Sequence, residues 1–247
     1  MATIGIIGGT GLSRMVGLEI TRRQVMRTPY GEPSGAFSWG RLDGHEVVFL
    51  ARHGHQHTIP PHKINYRANI WAMKELGVDC TIAFAAVGGI NSDMPPPRVV
   101  IPHQLIDYTY GRAHTFFDED LDEVTHIDFT SPYCEQAREK LLAAARSVGI
   151  DAAAEGVYGS TQGPRLETAA EIDRMERDGC DIVGMTGMPE AALARELDLN
   201  YACLAIVANE AAGRGAAEIT LEDIEKNLEQ GMRDAIEAGR FEDFRAE

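Results

Sequence analysis

The residues best suited to chemistry stand in short polar breaks between apolar runs. In VVFLARHGHQHTIPPH, Arg52 sits beside His53 at the end of an apolar stretch; His55, His57 and His62 follow, and His45 lies just upstream. A guanidinium fork beside an imidazole suits an oxyanion such as phosphate. A histidine cluster also invites a metal, but there is no HExxH, and no acidic residue lies between His53 and Asn65. Near the start, Gly8-Gly9-Thr10-Gly11 has the look of a dinucleotide loop. It lacks the full GxGxxG, since Arg14 occupies the last position, and it reads equally as a tight turn. Its amides and the Thr10 hydroxyl could still hold a phosphate, and no GKS or GKT makes it a triphosphate loop. Further on, GPRLET places Leu166 and Glu167 after a Gly-Pro turn, MTG places Met185 and Thr186 after an apolar run, and ANEA ends another such run at Asn209 and Glu210. A lone carboxylate on a loop is ordinarily just solvated, so Glu167 needs a reason.

Those breaks are punctuation in a regular alternation. Strands are predicted at TIGIIGG, EVVFLARHG, CTIAFAAVGGI, VVIPHQLIDYT, AEGVYGST, CDIVGMTG and NYACLAIVANEAA. Helices are predicted over residues 64–77, 131–150, 167–179 and 188–199, and over the amphipathic segment TLEDIEKNLEQGMRDAIEAG, where Thr220 is a candidate cap. Residues 111–132 are polar, aromatic and acidic, with no period, and read as a long functional loop. Strands alternating with helices, without a linker or repeat, imply one α/β domain over residues 1–247. In open α/β sheets ligands lie beyond the carboxyl ends of strands, which is where these polar residues fall.

Composition narrows the partners. The net charge of −15 argues against broad nucleic-acid binding. No apolar run is long enough for a transmembrane helix, and the N-terminus reads as a first strand rather than a signal peptide. Cys80, Cys134, Cys180 and Cys203 form no CxxC, which suits reduced cysteines in the cytoplasm.

Taken in order, GGTGL, RHGHQHTIPPHKINYRANIWAMKELG, FAAVGGI, QGPRLET, MTGMPEAALARE and the run ending at Asn209 resemble the trimeric purine nucleoside phosphorylases. Similarity is greatest to their methylthioadenosine phosphorylase branch and spans nearly the whole chain. The resemblance implies a central mixed β-sheet flanked by helices, a homotrimer, no metal or cofactor, and inorganic phosphate as co-substrate beside a small nucleoside. Motif by motif, it implies phosphate against Thr10, Arg52, His53, the backbone of Ala85 and Ala86, and Thr186. Met185 would lie under the ribose, and His126 would reach the neighbouring subunit's site near the 5′ group. His55 departs from the family, which commonly has Arg there, and leaves the roles of His55 and His57 open.

The same matching gives Glu167 its reason. Adenine-specific relatives carry Ser at that position, a carboxylate at the Asn209 position and a second carboxylate two residues on, where this chain has Ala211. Relatives that cleave 6-oxopurines carry Glu and Asn. A carboxylate can only accept, so Glu167 suits N1–H of hypoxanthine, while the Asn209 amide can donate to O6 and accept from N7–H. Leu166, Glu210 and Ala211 flank this pair. At the sugar end Leu221 stands where general nucleoside phosphorylases place a histidine near the 5′-hydroxyl, and an apolar wall favours a 5′-methylthio group. The implied substrate is 5′-methylthioinosine. A general inosine/guanosine phosphorylase, a methylthioadenosine phosphorylase and a non-catalytic nucleoside binder remain the alternatives.

Overall fold

The computed structural model describes residues 3–10, 12, 17–42, 44–119, 121–215 and 227. In chain order its strands are β1 (Thr3–Gly8), β2 (Glu19–Gln24), β3 (Phe37–Leu42), β4 (His45–Ala51), β5 (Cys80–Gly89), β6 (Arg98–Val100), β7 (Gln104–Asp107), β8 (Val157–Ser160), β9 (Ile182–Gly184) and β10 (Asn200–Glu210). The α-helices are α1 (Tyr66–Glu75), α2 (Glu135–Ser147), α3 (Ala169–Arg177) and α4 (Gly187–Glu196).

The strands form one mixed sheet in the order β2-β3-β4-β1-β5-β9-β8-β7, with β10 pairing on β5 and β6. Its centre is parallel: β1 lies between β4 and β5, and β10 runs alongside β5 for most of its length. Strands covered on both faces read as continuous apolar runs, and alternate residues feed two cores. Ile4 and Ile6 pack with Leu141 and Leu142 of α2, and Ile7 packs with Ile70 and Met73 of α1 and Leu193 of α4. The helices have clear starts. Asn65 caps α1 by accepting from Ala68 N–H, and Thr168 opens α3 with a reciprocal capping box to Glu171.

Two departures from the sequence reading have plain causes. VVIPHQLIDYT is two strands, β6 and β7, because Pro102 offers no N–H to continue a ladder. The β2–β3 hairpin was not anticipated, since five of the six residues of β2 are exposed and the run carries no alternation to read. The expected long loop is seen: residues 108–134 contain no helix or strand among the described positions. The expected C-terminal helix lies outside the described residues, as does Leu221.

Candidate active site

The segments just after β1, β4 and β9, together with the last residues of β5 and β10, line one cavity of about 560 Å³. Its lining includes the residues expected to meet phosphate, Thr10, Arg52, His53, Ala85, Ala86 and Thr186, and also Leu166, Glu167, Asn209 and Ala211, with Met185 on the wall as well. At the close of β1 the chain needs glycine. A side chain at Gly9 would strike Phe84 O and crowd the Arg52 guanidinium.

Arg52 is only 1 % exposed. Its Nε and Nη2 each donate to Glu190 at 2.7 Å, and Nη1 donates to Phe84 O at 2.9 Å. Glu190, on α4, is 0 % exposed and also accepts from the Tyr201 hydroxyl at 2.8 Å. This corrects the expectation of a fork open to an anion. A carboxylate on the buried face of a helix has no water to meet it, so the nearest guanidinium is committed to it. Of the five guanidinium N–H groups, two remain for the cavity. Burial pulls the Arg52 pKa down, but the charge and hydrogen bonds of Glu190 more than offset this, and the net shift is upward.

His53 is held by Nδ1, 2.8 Å from Ile59 O. A carbonyl only accepts, so the proton is on Nδ1. Burial, with the Arg52 charge adding to it, lowers the ring to about 4. The imidazole is therefore neutral near pH 7, and Nε2 is an acceptor rather than the donor expected. His57 also lines the cavity, its ring centroid 4.6 Å from that of His53, whereas His55 is exposed and outside it. Among the described residues no three His, Cys, Asp or Glu side chains converge as a metal site. Thr186 is buried, and its backbone N–H donates to the Tyr158 hydroxyl at 3.4 Å. Thr10 is exposed at the rim.

Four residues of GPRLET have evident tasks. The Gly163 backbone lies against Met185, where a side chain would collide with Sδ. Arg165 pairs with Glu171, Thr168 caps α3, and Glu167 accepts from the Thr161 hydroxyl at 2.6 Å. Asn209 reaches the cavity through a register shift of β10 against β5 between Val207 and Asn209. Such a bulge re-aims side chains, and Ala208 and Asn209 in succession both line the wall. Asn209 Nδ2 donates to Glu210 O at 2.7 Å, leaving one N–H and Oδ1 without a partner among the described residues. Ala211 is buried against the same wall.

Glu210 is a correction. It lies outside this cavity and lines a separate cleft with Asn91, Asp181 and Arg214. With Asn209 turned inward, the next residue of an extended chain faces the other way. His126 is exposed and outside the cavity of its own chain.

The sequence reading missed Glu190, Tyr201, Thr161 and Arg112. Glu190 did carry a signal, a lone carboxylate in the otherwise apolar helix MPEAALA. Arg112 lay unmarked in the long loop.

A sheet that brings an anion-suited end and a carboxylate–amide end into one cavity defines a nucleoside-cleaving phosphorylase. The chain belongs to the phosphorylase superfamily, whose family model matches residues 3–239. It is 59% identical over 232 residues, 94% of each chain, to a probable S-methyl-5'-thioinosine phosphorylase of Pseudomonas syringae pv. tomato. It is 46% identical over 241 residues to a 6-oxopurine nucleoside phosphorylase of Pyrococcus furiosus, covering 96% of this chain and 90% of that one. Among solved structures, methylthioadenosine phosphorylase from Schistosoma mansoni in complex with adenine superposes with a TM-score of 0.90 at 32% identity, covering 97% of this chain and 91% of that chain.

Proposed function

We propose that the protein cleaves the N-glycosidic bond of 5′-methylthioinosine with phosphate, releasing hypoxanthine and 5-methylthioribose 1-phosphate. One observation carries the reading: Glu167 and Asn209 share a cavity with Arg52, His53 and Thr186, while Ala211 occupies the wall where a second carboxylate would favour adenine. The name of the Pseudomonas syringae relative supports the same substrate.

In this reading phosphate sits against Thr10, Thr186, the Ala85–Ala86 backbone and the two uncommitted N–H groups of Arg52. His53 Nε2 accepts from a P–OH. A phosphate oxygen forms the bond to C1′ as the C1′–N9 bond breaks, and the bonding pair leaves with the base. The base takes a proton from solvent water at N7, and the resulting N7–H donates to Asn209 Oδ1. Glu167 accepts from N1–H, and the remaining Asn209 N–H donates to O6. This is catalysis by placement and electrostatics, with no covalent enzyme intermediate. Met185 lies under the ribose.

The whole chain, residues 1–247, acts as one catalytic domain in the cytoplasm, without a metal or cofactor. It works as a homotrimer in which His126 enters the neighbouring site. Support for this lies in the exposure of Tyr110 (72%) and Val124 (76%) on the segment that carries His126. Dialysis against EDTA should leave turnover unchanged, and light scattering should give a trimer; a fully active monomer would remove His126 from the mechanism. The deciding assay compares phosphate-dependent base release from methylthioinosine, methylthioadenosine, inosine and adenosine. Preference for methylthioinosine supports the reading. Preference for inosine makes this a general 6-oxopurine enzyme, as the name of the Pyrococcus furiosus relative would suggest, and preference for methylthioadenosine overturns the reading of the base pocket.

A further inference from the structure

We infer that Arg112, which does not line the cavity, is a positioning residue that fixes the base-reading loop against the ribose–phosphate loop and so sets purine selectivity. It is 8% exposed and is the centre of a six-contact hub. Its Nη2 donates to Thr161 O at 3.2 Å and Gln162 O at 2.8 Å, and its Nε to Gln162 Oε1 at 3.1 Å. The two N–H groups of its Nη1 donate to Met188 O at 2.6 Å and Met185 O at 2.9 Å, one of them shared with the Tyr66 hydroxyl at 3.3 Å. The first group of acceptors lies in the segment leading to Glu167, and Met185 and Met188 bracket Thr186.

Arg112 has no carboxylate at ion-pair distance among the described residues, in contrast to Arg52. A buried guanidinium satisfied only by neutral acceptors gains no ion pair to offset its burial. Its planar fork, however, can span two backbones at once, which a lysine ammonium cannot. The link to the base is short. Thr161, whose carbonyl Arg112 holds, gives its hydroxyl to Glu167. Moving Thr161 therefore moves the carboxylate that meets the purine N1, and misplacement by a fraction of an ångström is enough to weaken such a hydrogen bond.

This inference rests on the base-reading role given above to Glu167, and the test keeps the two separate. The readout is the ratio of kcat/KM for methylthioinosine to that for methylthioadenosine, in wild type, Arg112→Lys, Arg112→Met and Gln162→Ala, each checked for its melting temperature. If wild type shows no preference for the 6-oxopurine, the reading of Glu167 fails. If wild type shows the preference, Arg112→Met should cut the ratio about tenfold and Arg112→Lys by nearly as much, since charge without the fork cannot hold both loops. Gln162→Ala loosens the guanidinium without removing it and should lower the ratio about two- to threefold, which keeps the test available if neither Arg112 variant folds. A lowered melting temperature with an unchanged ratio in the folded variants overturns the inference and leaves Arg112 a purely structural residue.

Discussion

The two ends of the cavity are built on opposite plans. At the phosphate end the side chains are sunk into the sheet: Arg52, Glu190 and Tyr201 form a buried network that water does not reach. At the base end Glu167 stands on a loop beside Leu166, which is 46% exposed, and is held by one hydroxyl and by backbone fixed from behind. In the proposed reading the reaction common to all substrates is entrenched in the core, while the choice among substrates is carried by groups that can change without disturbing it.

The comparison is broken most severely at the phosphate end. Arg52→Ala strands the Glu190 carboxylate and should cost about 3–5 kcal/mol of stability, together with phosphate-dependent turnover. Replacing both members, Arg52→Met with Glu190→Met, should recover most of that stability without recovering turnover. Denaturant unfolding and phosphate kinetics on the same samples separate the effects, and a double variant that regains activity would place phosphate binding elsewhere.

At the base end the expected loss is smaller and falls on selectivity. Asn209→Asp sets an acceptor-only group against O6 of hypoxanthine. Losing one good hydrogen bond and leaving its partner buried costs on the order of 1–3 kcal/mol, roughly 5- to 150-fold in kcat/KM. Activity on methylthioinosine should fall at least about tenfold, with little change in melting temperature. Relative activity on methylthioadenosine should rise, and rise further when Glu167→Ser is added. A double variant that keeps its 6-oxopurine preference would show that these two residues do not carry it.

The smallest effect sharpens the contrast through pH. His53 titrates at about 4 when folded, against an ordinary 6.5. Between those values the unfolded chain binds more protons, so this contribution to stability is complete above pH 6.5 and is lost as pH falls toward 4. The share lost between pH 7 and 6 is about 1 kcal/mol or less. His53→Gln should flatten the wild-type slope of unfolding free energy over that window. An unchanged slope would mean that the ring is not held neutral by its surroundings.

The same contrast governs how much could be read in advance. Arg52, His53, Thr186 and Asn209 interrupt apolar runs at strand ends, and a polar residue at such a break stands out; Glu167 gained its role only from the resemblance. The central strands were equally visible, because burial on both faces leaves few polar letters. The roles of the supporting groups were not legible, even where, as at Glu190, the residue itself stood out. Glu190 belongs to the site only through its ion pair with Arg52, 138 residues away in sequence, and Arg112 acts through backbone carbonyls, which every residue possesses alike. The use of the Arg52 fork was misjudged for the same reason: one member of a long-range pair shows nothing of its partner. β2 escaped notice because a strand exposed on both faces has no hydrophobic period.

The capping box of α3 has a consequence for how this site can change over generations. Thr168 closes the helix end, so its neighbour Glu167 carries none of that duty. On the proposed reading, a substitution at 167 alters the contact with the purine while the helix beneath stays sealed. Mutation can therefore explore substrates at this position one residue at a time, with folded intermediates at every step.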